Sequence, residues 1–346
     1  MKLGVVTIYN GANFGAYLQA YALKKYLEEK GHRVEHLKIN SENRVYFYRY
    51  ISKRWLKGVK YAFNYLCYGK KKYKCFQKGW KEFNVSDPNE KFDAVILGSD
   101  EIWNAGNSAF KNPLFYGVGA NSNKIISYAA SVGAYKMDNI PDYVPKAIDD
   151  LYAIMVRDDV TKEYAQKYTK KEVNIVCDPT LLYDFENKEL PKCDDEYIHK
   201  NKYILIYAYR YSDVEKQWIK NYARENDLKI VTTGFYEPWC DYCVNCEPLA
   251  FMDVIKNAEL VYTSSFHCGI FSIYNNKKMV VRKSGQKVVD LFNRIGASQV
   301  LISDNDSYDV FKNIAQSSVD FENIHNNIKK FREESADLLN KALELK

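Results

Sequence analysis

The side chains with the most chemistry to offer are a histidine, an arginine and an aspartate, each close behind an apolar run. His267 follows Thr263-Ser264-Ser265-Phe266 and opens a helix-like segment, 267–274. Arg157 ends the run Ile154-Met-Val and precedes Asp158 and Asp159. Asp100 lies within Gly98-Ser99-Asp100-Glu101-Ile102-Trp103-Asn104. An imidazole gives or takes a proton near neutral pH. A guanidinium grips a carboxylate or phosphate with two parallel hydrogen bonds, and a carboxylate can take a hydroxyl proton. Such a set suits acid–base chemistry beside an anionic ligand. Each member also has a plainer use: His267 as a helix cap or packing residue, Arg157 as a structural partner of Asp158 or Asp159.

The elements that must position these groups are strands and helices in alternation. Residues 258–281 read as strand, hydroxyl-rich turn, helix, polar turn and strand, with His267 in the first turn of the helix. In a parallel sheet, strand carboxyl ends and helix amino ends face the ligand crevice, where free backbone N–H groups seat an anion. Ser264 and Ser265 fall at that seat. Residues 3–8 form a first strand, followed by the loop Tyr9-Asn-Gly-Ala-Asn13-Phe-Gly15 and a helix with Ala16, Ala20, Leu23 and Leu27 on one face. Asn13 and Gly15 are candidates to touch substrate there, although the loop lacks the third glycine and the acidic residue of a dinucleotide fingerprint. The run Phe92–Leu97 opens at Gly98 and brings Ser99, Asp100, Trp103 and Asn104 to another crevice end. The second half repeats the alternation from 203 onward.

This pattern and the chain's length predict an α/β protein of two domains, each a run of alternating strands and helices. Residues 1–176 form the first, with a basic, aromatic helical insertion at 46–88. Residues 177–315 form the second, entered through Asp178-Pro179. Residues 316–346 form an amphipathic helix expected to return to the first domain.

Net charge is +6 over 346 residues, yet Arg49 to Lys81 holds eleven Lys or Arg and no Asp or Glu, so the rest of the chain is acidic. Nine aromatics are interleaved with those cations. The segment suits a solvated face, an anionic membrane surface or a diphosphate-linked acceptor, and no nucleic-acid motif accompanies it. The opening residues read as a strand rather than a secretory signal, and no apolar run reaches membrane-spanning length. A cytoplasmic protein, at most lying on the inner face of the membrane, is expected. Eight cysteines in a chain this long are expected as reduced thiols. Three of them, Cys240-x2-Cys243-x2-Cys246, have a spacing seen in iron–sulfur or zinc sites, without a fourth ligand in reach of the pattern.

With these residues set out, the chain resembles the polysaccharide pyruvyl transferase family over nearly its full length. The matching segments, in order, are Asn13-Phe-Gly15 with Leu18-Gln19, Gly98-Ser-Asp-Glu-Ile-Trp-Asn104, Ser127-Tyr-Ala-Ala-Ser131, Val156-Arg-Asp158, Asp178-Pro-Thr-Leu-Leu182 and Ser264-Ser-Phe-His267. The resemblance implies an α/β fold similar to GT-B glycosyltransferases, two Rossmann-like domains with the active site in the cleft between them. It also implies a reaction in which phosphoenolpyruvate gives its enolpyruvyl carbon to two sugar hydroxyls, leaving a pyruvate ketal and phosphate. It carries roles to His267, Arg157 and Asn13, and to a lysine one helix and one strand past the histidine, aligned with Lys287, with Arg282 and Lys283 as rivals. The expected chemistry has His267 protonate the methylene carbon, Arg157 and Lys287 hold carboxylate and phosphate, and Asp100 take the acceptor proton. No metal or cofactor is implied beyond the donor, and the partners are phosphoenolpyruvate and a sugar acceptor, free or carried on a polyprenyl diphosphate. The nearest alternative is a GT-B glycosyltransferase with a nucleotide-sugar donor. An iron–sulfur protein centred on Cys240, Cys243 and Cys246, or a non-catalytic membrane-surface protein, stands further off.

Overall fold

Continuous apolar runs bounded by polar turns become strands buried on both faces, as parallel sheets require. The computed structural model describes residues 1–39, 58–107, 110–133, 140–186 and 188–344. The first sheet contains β1 (Lys2–Val6), β2 (Arg33–Leu37), β3 (Val85–Ser86), β4 (Ala94–Leu97), β5 (Ile125–Ala130), β6 (Ala153–Val156) and β7 (Val173–Ile175), in the order β3-β2-β1-β4-β5-β6-β7. The second contains β8 (Tyr203–Tyr207), β9 (Lys229–Thr233), β10 (Tyr242–Val244), β11 (Leu260–Thr263), β12 (Met279–Arg282) and β13 (Leu301–Ile302), in the order β10-β9-β8-β11-β12-β13. Every ladder in both sheets is parallel. Each sheet reverses direction once, between β1 and β4 and between β8 and β11. Those reversals are where an open α/β sheet takes its ligand.

The two reversal points face each other across a shared core. The helix Phe14–Glu29 leaves β1, and the helix Phe266–Tyr274 leaves β11. Phe14 of the first half stacks on Phe251 of the second, ring centroids 4.4 Å apart and planes 10° from parallel, and also meets Tyr207 and Phe76. Asn13 caps its helix by accepting from the Ala16 N–H at 3.1 Å and then donates across to the Tyr209 hydroxyl at 2.9 Å.

Two further pieces tie the halves together. The long helix Phe321–Leu343 has Arg332 donating to the Leu181 carbonyl and the Tyr274 hydroxyl, Ser335 accepting from the Cys177 N–H, and Asn340 accepting from Tyr26. The helix Val59–Gly79 belongs to the basic insertion expected at 46–88, whose residues 46–57, including Tyr50 and Trp55, lie outside the described residues. Its Gly79 carbonyl accepts from Tyr17 of the first half, while Tyr68 and Lys72 donate to the Val244 and Gly234 carbonyls of the second. Among the described residues no helix is long and apolar enough to cross a membrane.

Candidate functional site

His267, Arg157 and Asp100 converge around a fourth group, the carboxylate of Asp178. The dipeptide Asp178-Pro179 reads as a turn, and locally it is one: Asp178 caps the short helix Pro179–Leu182, with Oδ1 accepting from the Thr180 N–H at 3.0 Å and the Thr180 hydroxyl at 2.7 Å. Its Oδ2 accepts from Ser99 Oγ at 2.9 Å and from Arg157 Nη1 at 3.2 Å. The ring nitrogen Nε2 of His267 stands 3.6 Å from Oδ1. Asp178 is completely buried, which by itself disfavours its charge, but the neighbouring His267, the Arg157 guanidinium and the Thr180 bonds outweigh that. Its carboxyl is held well below the ordinary carboxylate range.

His267 owes its place to Ser265, which caps the Phe266–Tyr274 helix by accepting from the Cys268 N–H. The ring is 9% exposed, and Nε2 makes no hydrogen bond among the described residues. On its other side lies Gly15, so close that a Cβ there would fall 2.3 Å from Nδ1. Gly15, expected to meet substrate through its backbone, is instead the space into which the imidazole fits. Only glycine lets the two helix starts approach this closely.

Arg157 leaves β6 with its guanidinium 5.1 Å above the Phe266 ring, which in turn meets the His267 ring edge to face. Its ion-pair partners are Asp178 and, at 3.9 Å, Asp100. Asp158 is engaged elsewhere as the cap of the next helix, Asp159–Gln166, bonded to Thr161 and Ser131. Arg157 Nε and Nη2 are buried without a hydrogen-bond partner among the described residues. A cavity of ≈ 20 Å³ opens beside them, lined by Arg157, Asp178, Phe266, Lys287, Arg294 and Phe331 among others. That is room for about one water. His267 does not line this cavity and reaches it only through Asp178 and Phe266.

Lys287 comes to the cavity from the helix Gln286–Arg294 of the second half and is ion-paired with Glu101 of the first. Asp100 is held at φ +74°, a left-handed conformation that aspartate tolerates, with its carbonyl accepting from the Ser131 N–H. Asn104 donates to Glu101, and Ser99 is buried with its hydroxyl spent on Asp178. Both therefore act on the groups that line the site rather than on open space. Ser264 is buried, its carbonyl accepting from Ser284 at 2.7 Å.

Two expected substrate residues belong elsewhere. Trp103 is fully buried in the core of the first half, stacked on Tyr116, with its indole N–H donating to the Phe115 carbonyl, so no face of it is left for a ligand. Arg282 is gripped by both carboxylate oxygens of Glu215 at 3.0 Å, and Glu215 also closes the capping box of the helix Asp213–Glu225. The exposed Lys283 offers only its backbone, bonded to Ile302. Lys287 alone of the three candidate cations reaches the Arg157 cavity.

The three-cysteine motif does not gather. A short strand, β10, runs through it, and an extended chain advances roughly 10 Å between residues three apart and turns them to opposite faces. Cys243 donates to the Glu237 carbonyl, whereas Cys246 is buried against Cys193. Among the described residues no group of three or more His, Cys, Asp or Glu is placed to hold a metal ion.

Comparison with known proteins now has a geometry to explain. No curated protein matches the sequence. Among solved structures, the UDP-GlcNAc 2-epimerase from Methanocaldococcus jannaschii matches at a TM-score of 0.53 and 14% identity, covering 98% of this chain and 100% of that one. Arabidopsis thaliana UGT89C1 complexed with UDP matches at 0.51 and 10% identity, covering 98% and 99%. S. aureus MnaA with UDP matches at 0.51 and 15%, covering 95% and 91%. These likenesses establish a GT-B-like fold of two parallel sheets with alternating helices. The family model for polysaccharide pyruvyl transferase matches residues 13–283, from the Asn13 cap through Asp178 and His267 to the end of β12, and on that span the chain belongs to the polysaccharide pyruvyl transferase family.

Proposed function

We propose that the protein moves the enolpyruvyl group of phosphoenolpyruvate onto two hydroxyls of a sugar acceptor, forming a pyruvate ketal and releasing phosphate. The observation that carries this reading is the pair of buried donors on Arg157 left without a partner among the described residues, on a side chain that lines a cavity with Lys287 and Arg294, where Asp158 and Asp178 are already engaged by Thr161, Ser131, Ser99 and Thr180 and Asp159 and Asp290 are the remaining acids. Buried N–H groups without partners are costly. A small anion with a carboxylate at one end and a phosphate at the other would satisfy them.

In the reaction, once parting of the halves lets the donor's methylene reach His267, the enol phosphate's π electrons take a proton from the His267 imidazolium, so the methylene becomes a methyl and C2 becomes electrophilic. Asp178 supplies the imidazolium with a fixed counter-charge 3.6 Å away. The first acceptor hydroxyl adds to C2 and gives its proton to Asp100. Phosphate departs with the C2–O bond, neutralised by the cations around it. The second hydroxyl closes the ketal, its proton leaving with phosphate or returning to His267. The cavity is too small for the donor as it stands. Entry therefore needs the halves to part and Lys287 to exchange Glu101 for the donor's anionic groups.

The test is to incubate the protein with phosphoenolpyruvate and a panel of polymeric and lipid-linked saccharides, measuring phosphate and product mass. Phosphate release matched by an added pyruvate, less one water, is expected with some member of the panel. A product carrying a transferred sugar from a nucleotide donor instead would move the protein to the glycosyltransferase reading.

A further inference from the structure

The proposed chemistry leaves the basic stretch without a role, and the structure divides its described part into two faces. The inner face of the Val59–Gly79 helix is committed. Tyr68 and Lys72 donate to second-half carbonyls, and Phe76 is fully buried against Phe14 and Tyr17. Burial strips water from the Lys72 ammonium and pushes its pKa down to about 8. The outer face, at helical spacing, carries Lys60, Phe63, Lys70, Lys71, Lys74 and Lys78, all exposed. Among the described residues Lys60, Lys70, Lys71 and Lys74 have no ion-pair partner. The acids nearest the helix ends are already taken, Glu247 by Lys78 and Glu82 by Lys24 and Lys25.

We propose that this outer face is a docking surface for a bilayer containing anionic lipid. Charge complementarity names the partner's sign, and two apolar side chains name its kind. Phe63 is 64% exposed and Val59 68% exposed, projecting among the lysines at one end of the face. A single aromatic wedge beside flexible lysines suits a headgroup layer, in which the ring enters the acyl boundary and the ammonium groups stay at the phosphates. The described outer face has lysine and no arginine, and lysine is the cation less fitted to bidentate recognition of nucleic acid. Because the inner face is bonded to both halves, a helix seated on a bilayer would bring the rim around Gly234 and Tyr209, and with it the Asn13 cap, toward that surface. This inference stands on the helix alone and survives a different reaction at the Arg157 cavity.

The test is co-sedimentation of the full chain with phosphatidylcholine vesicles in which about a third of the lipid is phosphatidylglycerol, against pure phosphatidylcholine and against duplex DNA. Wild-type protein is expected to bind the anionic vesicles and to be released by salt. Each lysine near such a surface is worth roughly a fivefold change in binding. The Lys70→Glu, Lys71→Glu, Lys74→Glu triple variant should therefore bind at least about a hundredfold more weakly, with an unchanged melting curve since these exposed side chains have no ion-pair partner among the described residues. Phe63→Ser should weaken vesicle binding and leave DNA binding alone. Equal binding to neutral vesicles, an unaffected triple variant, or DNA binding as strong as vesicle binding with Phe63→Ser silent in both, would each overturn the proposal.

Discussion

His267→Ala is expected to fold as the wild type does and to lose turnover by about a thousandfold, with little change in donor KM. General acid catalysis is worth roughly 10²–10⁴ in rate. In the proposed reaction no other group within reach of Asp178 can bring a proton to the donor's methylene, because Arg157 keeps its protons throughout. The fold should survive, since Nε2 of the ring makes no hydrogen bond among the described residues and Asp178 keeps Ser99, Arg157 and both Thr180 bonds when the imidazole is gone. Donor binding should survive because its cations come from Arg157, Lys287 and Arg294. Steady-state kinetics beside a melting curve check this. A variant as fast as wild type on the true acceptor removes the histidine from the mechanism.

Asp178→Asn is expected to cost stability and activity together. Asparagine keeps the shape but leaves the buried Arg157 guanidinium with Asp100, at 3.9 Å, as its one remaining ion-pair partner among the described residues. Removing one partner of a buried ion pair costs about 3–5 kcal/mol, a fall in melting temperature of roughly four to seven degrees for a chain this size. The effect also has a sign in pH. The Asp178 carboxyl titrates below its ordinary value of 3.8 in the folded state, so on acidification the unfolded chain takes up the proton first. The stabilisation is complete above that ordinary value and drains away as pH falls through it toward the folded-state value. The gap in stability between wild type and Asp178→Asn should therefore be widest near neutrality and shrink below about pH 4. A gap that stays constant over that range would show that the carboxylate's charge is not what the network needs.

The sheets were legible because parallel strands are apolar on both faces: Ala94–Leu97, Tyr203–Tyr207 and Leu260–Thr263 announce themselves in sequence. His267 was legible too, because hydroxyl residues before a short helix mark its amino end. Asp178 was not, since Asp-Pro-Thr is an ordinary helix cap, which it also is. Its second task depends on Ser99, Arg157 and His267, which lie 79, 21 and 89 residues away in the chain. Trp103 misled because an aromatic residue past a strand end suits a cleft and a core equally. The indole N–H found the Phe115 carbonyl, and the core claimed it. Arg282 misled likewise, since nothing local shows that Glu215, on a distant helix, would reach its guanidinium. The β10 strand, three residues long, was too short to show a period, and without it the cysteines around it looked like a set.

The choice between an enolpyruvyl donor and a nucleotide sugar rests on which anion the Arg157 cavity accepts, and ligand-induced thermal stabilisation reads that choice directly. Phosphoenolpyruvate should raise the melting temperature of the wild-type protein, the rise should vanish in Lys287→Gln, and UDP-sugars should have no effect. Stabilisation by a UDP-sugar with none by phosphoenolpyruvate would contradict the account.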